Sequence, residues 1–244
     1  MTELLRTARR RIKFLLGLER STHLRCWSRG LGVPRWGNLR RLLPFSDTFG
    51  VDRGTPVDRH YLHRFLEEHR ADIVGDVLEI QRPIYATRFG SDLGSVHTVD
   101  IDGQYQPTYH CDLAKSADVI PADRYDCFLM PNTLSVLRDV ETCLREALRV
   151  IKPGGTILAT TSGFVPLTPE YPDYWHHSAA GWEEIARRVW PGCDVRTRSY
   201  GNCLAAVAAM LGLALEELKS SELDVYDARY PVLVSLVCRK PTRS

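Results

Sequence analysis

Apolar residues recur at helical spacing in five parts of the chain. Positions three and four residues apart predict helices over residues 2–18, 58–69, 140–151, 179–189 and 202–218. Short apolar runs predict buried strands at residues 77–80, 96–101, 127–130, 156–160 and 232–238. Helical and strand signals alternate from residue 58 onward, which is typical of a parallel sheet covered by helices. The pattern therefore predicts an α/β fold with a helical extension at the N-terminus.

A segment without periodicity separates the first helix from this alternation. Residues 27–57 contain five glycines and three prolines, which favours an irregular connector that closes over a site. We therefore divide the chain into a basic N-terminal helix and connector, residues 1–56, and one α/β domain, residues 57–244.

Charge is distributed unevenly between these parts. Residues 1–45 carry eleven Lys or Arg and two acidic residues, whereas the remainder carries 21 basic and 28 acidic residues. Four partners fit such a basic arm: an anionic membrane surface met peripherally, a phosphorylated substrate, nucleic acid, or the acidic body of the protein itself. Charge alone does not choose among them.

The seven cysteines are scattered, with neither a Cys-x-x-Cys pair nor a metal-like Cys/His spacing. This pattern speaks against a zinc site and a disulfide framework and favours a reducing cytoplasm. No apolar run approaches the roughly 20 residues that span a bilayer. We therefore predict a cytoplasmic protein that is soluble or at most peripheral to a membrane.

One motif indicates a family. The segment Arg-Val-Ile-Lys-Pro-Gly-Gly at residues 149–155 resembles the R-x-L-K-P-G-G signature of class I, S-adenosylmethionine-dependent methyltransferases of the type 11 kind. It follows Val-Leu-Glu-Ile at residues 77–80 and Val-Asp-Ile-Asp at residues 99–102, at the spacings that this family uses. The resemblance covers residues 57–240. It implies a Rossmann-like, doubly wound, mostly parallel sheet with helices on both faces, and S-adenosylmethionine as the cofactor.

Three further segments are similar to a narrower, bacterial subset of these enzymes. They are Pro-Val-Asp-Arg-His-Tyr at residues 56–61, Asp-Tyr-Trp at 173–175, and the tail from 201–206 through 230–232. That subset is often associated with glycosyltransferases and polysaccharide assembly. The resemblance therefore implies a hydroxyl of a sugar, a glycan or a glycosylated small molecule as the methyl acceptor.

The resemblance also implies which residues hold the cofactor. Glu79, at the end of the first strand, corresponds to the acid that contacts the methionine amino group. Asp100 ends the second strand, where a carboxylate accepts the ribose hydroxyls, and Asp102 is the alternative. Asp112 falls where an acid reaches the adenine amino group. Asn132 follows the fourth strand and either runs under the cofactor or caps a helix.

The turn after the first strand departs from the family pattern. Where Gly-x-Gly is expected, this chain has Gln81, Arg82 and Pro83. Proline has no N–H to donate, and a side chain limits how closely a ligand approaches the backbone. Arg82 is suited to pair with the cofactor's carboxylate. The departure leaves an alternative function open, a binding or scaffold protein that kept the fold and lost cofactor affinity.

Candidate chemistry for the acceptor lies in the loop after the fifth apolar run. A histidine suits the removal of a proton from a hydroxyl, and His176 and His177 are the candidates, the alternative being a helix N-terminal turn. Tyr171, Tyr174 and Trp175 are candidates for stacking on a sugar face or for packing the loop.

Other functions and ligands receive less support. An Asn-Pro-Pro-Tyr-like motif for a flipped base is absent from the sequence, so the sequence disfavours methylation of nucleic acid. Asp173 and Asp126 are loose candidates for magnesium ligands, but no oxygen-ligand spacing supports a metal site. A homo-oligomer is compatible with the sequence.

Overall fold

The computed structural model describes residues 37–242. The chain divides into two units, Met1–Leu43 and Pro44–Ser244. In the first unit the described residues include a single-turn 3-10 helix, Gly37–Leu39. The predicted helix over residues 2–18 and most of the basic arm lie outside the described residues, so their partners stay predictions.

The second unit contains six α-helices and seven strands among its described residues. The helices are α1 Val57–Glu68, α2 Ile84–Phe89, α3 Val140–Val150, α4 Ala179–Val189, α5 Cys203–Met210 and α6 Ser220–Leu223. The strands are β1 Gly75–Ile80, β2 Leu93–Asp100, β3 Tyr109–His110, β4 Tyr125–Met130, β5 Ile151–Ser162, β6 Asp194–Tyr200 and β7 Leu233–Arg239.

All seven strands form one sheet in the order β3-β2-β1-β4-β5-β7-β6. The first five strands pair in parallel, and β7 pairs antiparallel with both β5 and β6. The strand order reverses direction between β1 and β4, and ligands bind in the crevice at the carboxyl ends of the strands at such a point. The Rossmann-like, mostly parallel fold is confirmed.

Apolar side chains bury both faces of the sheet. On β4, Phe128 faces a cluster that includes Leu144 of α3 and Trp182 of α4. Its neighbour Leu129 faces the other cluster, which includes Phe65 of α1. Alternation along one strand therefore fills two cores, and helices cover both faces of the sheet.

Three predicted helices are confirmed to within two residues at each end. α3 begins where Asp139 accepts a hydrogen bond from the amide of Thr142 at 3.2 Å, and α4 begins where Ser178 accepts from the amide of Gly181 at 3.3 Å. Such caps satisfy amides that a helix leaves unpaired at its N-terminus. None of the helices within residues 37–242 has the length and apolar composition needed to cross a membrane.

The single long helix predicted over residues 202–218 is wrong. α5 ends at Met210, and Gly212 has a φ of +67°, which turns the chain out of the helix. A Cβ on Gly212 would lie 2.4 Å from the carbonyl oxygen of Ser46, so the turn needs glycine because the connector packs against it. Beyond the turn, Ala214 forms an isolated bridge with Pro56.

The motif at residues 149–155 lies at the amino edge of the sheet. α3 ends at Val150 and β5 begins at Ile151, so the Pro-Gly-Gly at residues 153–155 lies within the strand. The Nζ of Lys152 contacts Asp126 at 2.8 Å and Asp76 at 3.1 Å, and so ties the starts of β4, β5 and β1 together. The motif thus stabilises the sheet at the edge opposite to the crevice.

Candidate functional site

A cavity of about 530 Å³ opens at the carboxyl ends of the central strands. Its wall combines the ends of β1, β2, β4 and β5, the start of α1, the connector and the loop after β5. The polar and aromatic side chains that line it are Phe49, Asp58, Arg59, Glu79, Gln81, Arg82, Tyr85, Asp100, Asn132, Thr133, Ser135, Ser162, Thr168, Tyr171 and Asp173. Six of the predicted site residues and one loose metal candidate therefore share one cavity.

Glu79 is buried at the end of β1, with 1% of its surface exposed. Its Oε1 accepts a hydrogen bond from the amide of Tyr85 at 2.9 Å, and its Oε2 accepts from the amide of Ala86 at 2.8 Å. Burial raises the pKa of Glu79 to about 7, although these amides and that of Ile84 favour the charged form. Glu79 therefore fixes the start of α2 against β1 and carries a proton more readily than an ordinary glutamate.

The turn after β1 keeps a conformation that glycine favours. Gln81 has a φ of +69°, in the left-handed region that non-glycine residues rarely adopt. Its amide donates to the carbonyl of Val99 at 3.0 Å, and the amide of Arg82 donates to the carbonyl of Ile80 at 2.9 Å. The guanidinium of Arg82 lies over the ring of Tyr105, 4.8 Å from its centroid. The turn thus has the left-handed backbone that glycine favours, although glutamine occupies the position.

Asp100 presents an unpaired oxygen at the end of β2. Its Oδ1 accepts a hydrogen bond from the amide of Asp102 at 3.0 Å, whereas its buried Oδ2 has no partner among the described residues. Asp102 is exposed and uses its own Oδ1 to accept from the amide of Gln104 at 2.9 Å. Of the two candidates, the structure places Asp100 in the cavity and Asp102 outside its lining.

Asp112 does not join the site. Its Oδ1 accepts a hydrogen bond from the amide of Ala114 at 3.0 Å and caps the 3-10 turn Leu113–Lys115. The side chain is absent from the described lining of the cavity. The predicted adenine contact is therefore not supported by this geometry, because the carboxylate serves as a local cap.

Asn132 lines the cavity and does not act as a helix cap. Its φ is +47°, and its amide donates to the Oγ1 of Thr160 at 2.8 Å. The residue that precedes the short turn Leu134–Val136 is Thr133, which makes no side-chain cap. The Nδ2 of Asn132 donates to the Oδ2 of Asp58 at 2.7 Å.

The start of α1 brings two charged residues that the sequence did not assign to the site. Asp58 and Arg59 both line the cavity, and the Nη1 of Arg59 donates to the hydroxyl of Tyr85 at 2.8 Å. Burial raises the pKa of the Tyr85 hydroxyl. The segment at residues 56–61, noted for its similarity to a methyltransferase subset, was the only available sequence signal for these positions.

The loop after β5 contributes a paired carboxylate. The Oδ2 of Asp173 lies 3.1 Å from the Nε2 of His176, while its Oδ1 is buried without a hydrogen-bond partner among the described residues. The Nδ1 of His176 lies 3.4 Å from the carbonyl oxygen of Gly163. Both nitrogens of His176 thus face acceptors, and it is Asp173, together with Tyr171, that lines the cavity.

The other loop candidates lie away from the cavity. The amides of Tyr174 and Trp175 both donate to the carbonyl of Ser135, and the indole N–H of Trp175 donates to the carbonyl of Leu137 at 2.7 Å. The ring of His177 stacks on that of Trp175 with centroids 5.8 Å apart, and both line a separate surface depression. These three residues were predicted to bind or act on the acceptor, but the structure uses them to dock the loop.

Asp126 and Asp173 cannot share a magnesium ion. Asp126 lies at the amino edge of the sheet with Lys152, whereas Asp173 lies at the carboxyl edge. Within residues 37–242 no group of three or more His, Cys, Asp or Glu side chains is placed to hold a metal.

The side chains of the cavity fit S-adenosylmethionine. The unpaired Oδ2 of Asp100 is suited to accept ribose hydroxyls, since a buried carboxylate oxygen without a donor is costly and gains most from one. Asp58 and Arg59 add one negative and one positive group to the same wall. When bound, the cofactor supplies an electrophilic methyl group on a sulfonium.

Comparison with known proteins agrees with this geometry. The methyltransferase domain family matches residues 88–159. Two solved structures of S-adenosylmethionine-dependent methyltransferases resemble the fold. One, from Mesorhizobium loti, is 15% identical over 75% of this chain and 100% of that chain, with a TM-score of 0.52. The other, from Archaeoglobus fulgidus, is 14% identical over 75% of this chain and 94% of that chain, with a TM-score of 0.51.

A third similar structure is the [4+2]-cyclase SpnF, 15% identical over 83% of this chain and 88% of that chain, with a TM-score of 0.50. No curated protein gave a match. The structural likenesses establish the fold, and the domain match covers residues 88–159, less than a third of the chain. The chain therefore has the fold of class I, S-adenosylmethionine-dependent methyltransferases, and its residues 88–159 match the methyltransferase domain family.

Proposed function

We propose that the protein transfers a methyl group to a hydroxyl of a sugar, a glycan or a glycosylated small molecule. The observation that carries the proposal is the Oδ1 of Asp173, a buried carboxylate oxygen in the cavity without a hydrogen-bond donor. A hydroxyl group is the neutral donor that such an oxygen accepts best, and it is also the group to be methylated.

Asp173 then acts as the base. The acceptor oxygen attacks the methyl carbon while the bond from sulfur to that carbon breaks, and the hydroxyl proton passes to Oδ1 of Asp173. His176 holds Oδ2 at 3.1 Å and so fixes the direction of the carboxylate. His176 therefore positions Asp173, a different role from the direct proton removal that its residue type suggested.

The remaining cavity wall suits a carbohydrate. Asn132 and Thr168 offer an amide and a hydroxyl to the hydroxyls of a sugar, and the exposed ring of Tyr171 offers a flat apolar face. The connector adds Phe49 and Val51 on the same wall, which limits the access of water. A ligand with many hydroxyls and an apolar ring face matches this combination.

Turnover of Asp173→Asn tests the role of the carboxylate. We expect methyl transfer to a panel of sugar and nucleotide-sugar acceptors to fall roughly 10²- to 10⁴-fold, the usual scale for loss of a general base. The dissociation constant for S-adenosylhomocysteine should stay unchanged, because Asp173 lies on the acceptor side. His177→Ala is the matched control and should retain turnover, since its ring stacks outside the cavity.

Full turnover by Asp173→Asn would remove the proposed base. Wild-type enzyme that binds the cofactor but methylates only amines or carboxylates in such a panel would refute the hydroxyl acceptor. Both results leave the fold and the cofactor unchanged as conclusions.

A further inference from the structure

The amino-acid end of the cofactor lacks its usual partners in this chain. The turn after β1 carries Gln81, Arg82 and Pro83, so Pro83 offers no N–H to a carboxylate. Glu79 already accepts two amides of α2 and is almost completely buried. A zwitterion with one ammonium and one carboxylate group needs opposite charges placed side by side, and β1 with its turn does not provide them.

The first turn of α1 provides such a pair. Asp58 and Arg59 are adjacent in the chain, half-buried, and both line the cavity. Within the described part of the chain, no carboxylate lies in ion-pair distance of the Arg59 guanidinium, whose one hydrogen bond goes to the Tyr85 hydroxyl. Its remaining donors are available to an anion. Asp58 uses Oδ2 for Asn132 and has Oδ1 available to a cation.

Neighbouring groups fix both side chains in place. Tyr85 belongs to α2, the helix that follows the glycine-poor turn, and its hydroxyl holds the Arg59 guanidinium at 2.8 Å. Asn132 belongs to the loop after β4 and holds Asp58 at 2.7 Å. The charges of Asp58 and Arg59 also reach Tyr171, whose pKa burial raises and whose neighbour Asp173 faces the acceptor. The pair therefore lies between the turn of β1 and the acceptor side.

We infer that Asp58 and Arg59 form a clamp for the amino-acid end of the cofactor, Arg59 binding its carboxylate and Asp58 its ammonium group. The clamp replaces contacts that a glycine-rich turn would make with its backbone. It also places the methionine part in the cavity that Asp173 lines. This inference rests on the cofactor alone and is independent of the acceptor that we propose.

Arg82 is the competing partner for the carboxylate, but its position favours a different role. Its guanidinium lies over Tyr105, in the turn that follows β2, close to the end of the cavity marked by Asp100. That is the end assigned to the ribose. Arg82 is therefore engaged with the turn after β2, whereas Arg59 is the neighbour in the chain of a carboxylate that can take the ammonium group.

Three ligands separate the clamp from the rest of the site in full-length protein. They are S-adenosylhomocysteine, its decarboxylated analogue, and 5′-methylthioadenosine, which lacks the whole amino-acid end. By calorimetry we expect Arg59→Gln to weaken S-adenosylhomocysteine by roughly 10- to 100-fold, the scale of a lost charged hydrogen bond. The affinities of the decarboxylated analogue and of 5′-methylthioadenosine should remain near the wild-type values.

Matched variants complete the experiment. Asp58→Asn should weaken S-adenosylhomocysteine and leave 5′-methylthioadenosine unaffected. Arg64→Gln, on the same helix but paired with Asp224, should change none of the three affinities. Arg59→Lys should recover part of the lost affinity, because it restores the charge without the planar donors.

Three results of these binding measurements would overturn the clamp. The clamp is overturned if Arg59→Gln binds S-adenosylhomocysteine with unchanged affinity. It is also overturned if Arg82→Gln, and not Arg59→Gln, loses affinity for S-adenosylhomocysteine while keeping affinity for the decarboxylated analogue. Equal loss for all three ligands, including 5′-methylthioadenosine, would show a structural defect of the cavity and would also overturn it. If turnover on sugars fails while the ligand pattern holds, the proposed acceptor is wrong and the clamp stands.

Discussion

Replacing Asp100 with asparagine tests the nucleoside end of the cavity through one atom. Asparagine keeps an oxygen for the amide of Asp102, which Oδ1 of Asp100 now accepts at 3.0 Å. The substitution exchanges the unpaired Oδ2 for an NH2 group, which cannot accept a hydroxyl. Any effect on cofactor binding therefore reports on Oδ2 and on the charge of the group.

The expected magnitude follows from that single change. A hydrogen bond to a charged group contributes about 1.5–3 kcal/mol, so the dissociation constant for S-adenosylhomocysteine should rise roughly 10- to 150-fold. The ligand-free variant should be about as stable as the wild type, because a half-buried carboxylate whose Oδ2 lacks a donor is replaced by a neutral amide of the same shape. Weaker binding together with undiminished stability is the pattern to look for.

Calorimetry with ribose analogues identifies the contact. The 2′-deoxy and 3′-deoxy forms of the ligand should bind more weakly than the parent to wild-type protein, and should lose little further affinity in Asp100→Asn. Asp102→Asn is the control, since Asp102 is exposed and lies outside the cavity lining. A folded Asp100→Asn protein with wild-type affinity would refute the assignment of the ribose to this residue.

Two further predictions concern the first strand and its turn. Gln81→Gly should raise the free energy of unfolding by up to about 1 kcal/mol in denaturant titrations, since left-handed backbone costs about 1–2 kcal/mol and part of the gain is offset by glycine entropy. A lower free energy of unfolding would mean that the contacts of the Gln81 side chain stabilise the fold by more than its left-handed backbone costs. For Glu79, whose pKa rises from 4.5 to about 7 on folding, the folded state holds the proton more tightly than the unfolded state. The free energy of unfolding of the wild type, taken relative to that of Glu79→Gln, should therefore be highest below pH 4.5. It should fall by up to about 3 kcal/mol as the pH rises from 4.5 through 7. A pH-independent difference in the same titrations would contradict a raised pKa.

The periodic parts of the chain were predictable because local pattern and tertiary packing agree there. α1, α3 and α4 each bury one apolar stripe, and the five apolar runs became strands. β6 was missed because its sequence, Asp-Val-Arg-Thr-Arg-Ser-Tyr, offers only two buried side chains and pairs on one side only, with β7. The end of α5 depends on a contact between Gly212 and the distant Ser46, which no local pattern contains.

Site residues were predictable where the resemblance to methyltransferases assigns an acidic residue to the end of a strand. Asp100 and Glu79 were found in this way, and both lie in the cavity. Asp112 has the right residue type, but its carboxylate caps a turn, and sequence spacing cannot distinguish the two uses. His176 was selected for its chemistry, whereas the role that we propose for it depends on Asp173, whose unpaired oxygen only the fold reveals.

The position of β7 has a consequence for synthesis of the protein on the ribosome. β7 lies between β5 and β6 although it follows both in the chain. Until residues 233–239 have been translated, β6 has no partner strand and β5 presents an open edge. Unpaired strand edges promote association with other chains. The nascent protein therefore passes through a stage in which the cavity-forming strands are already made but the sheet is still open, and a chaperone would be of most use at that stage.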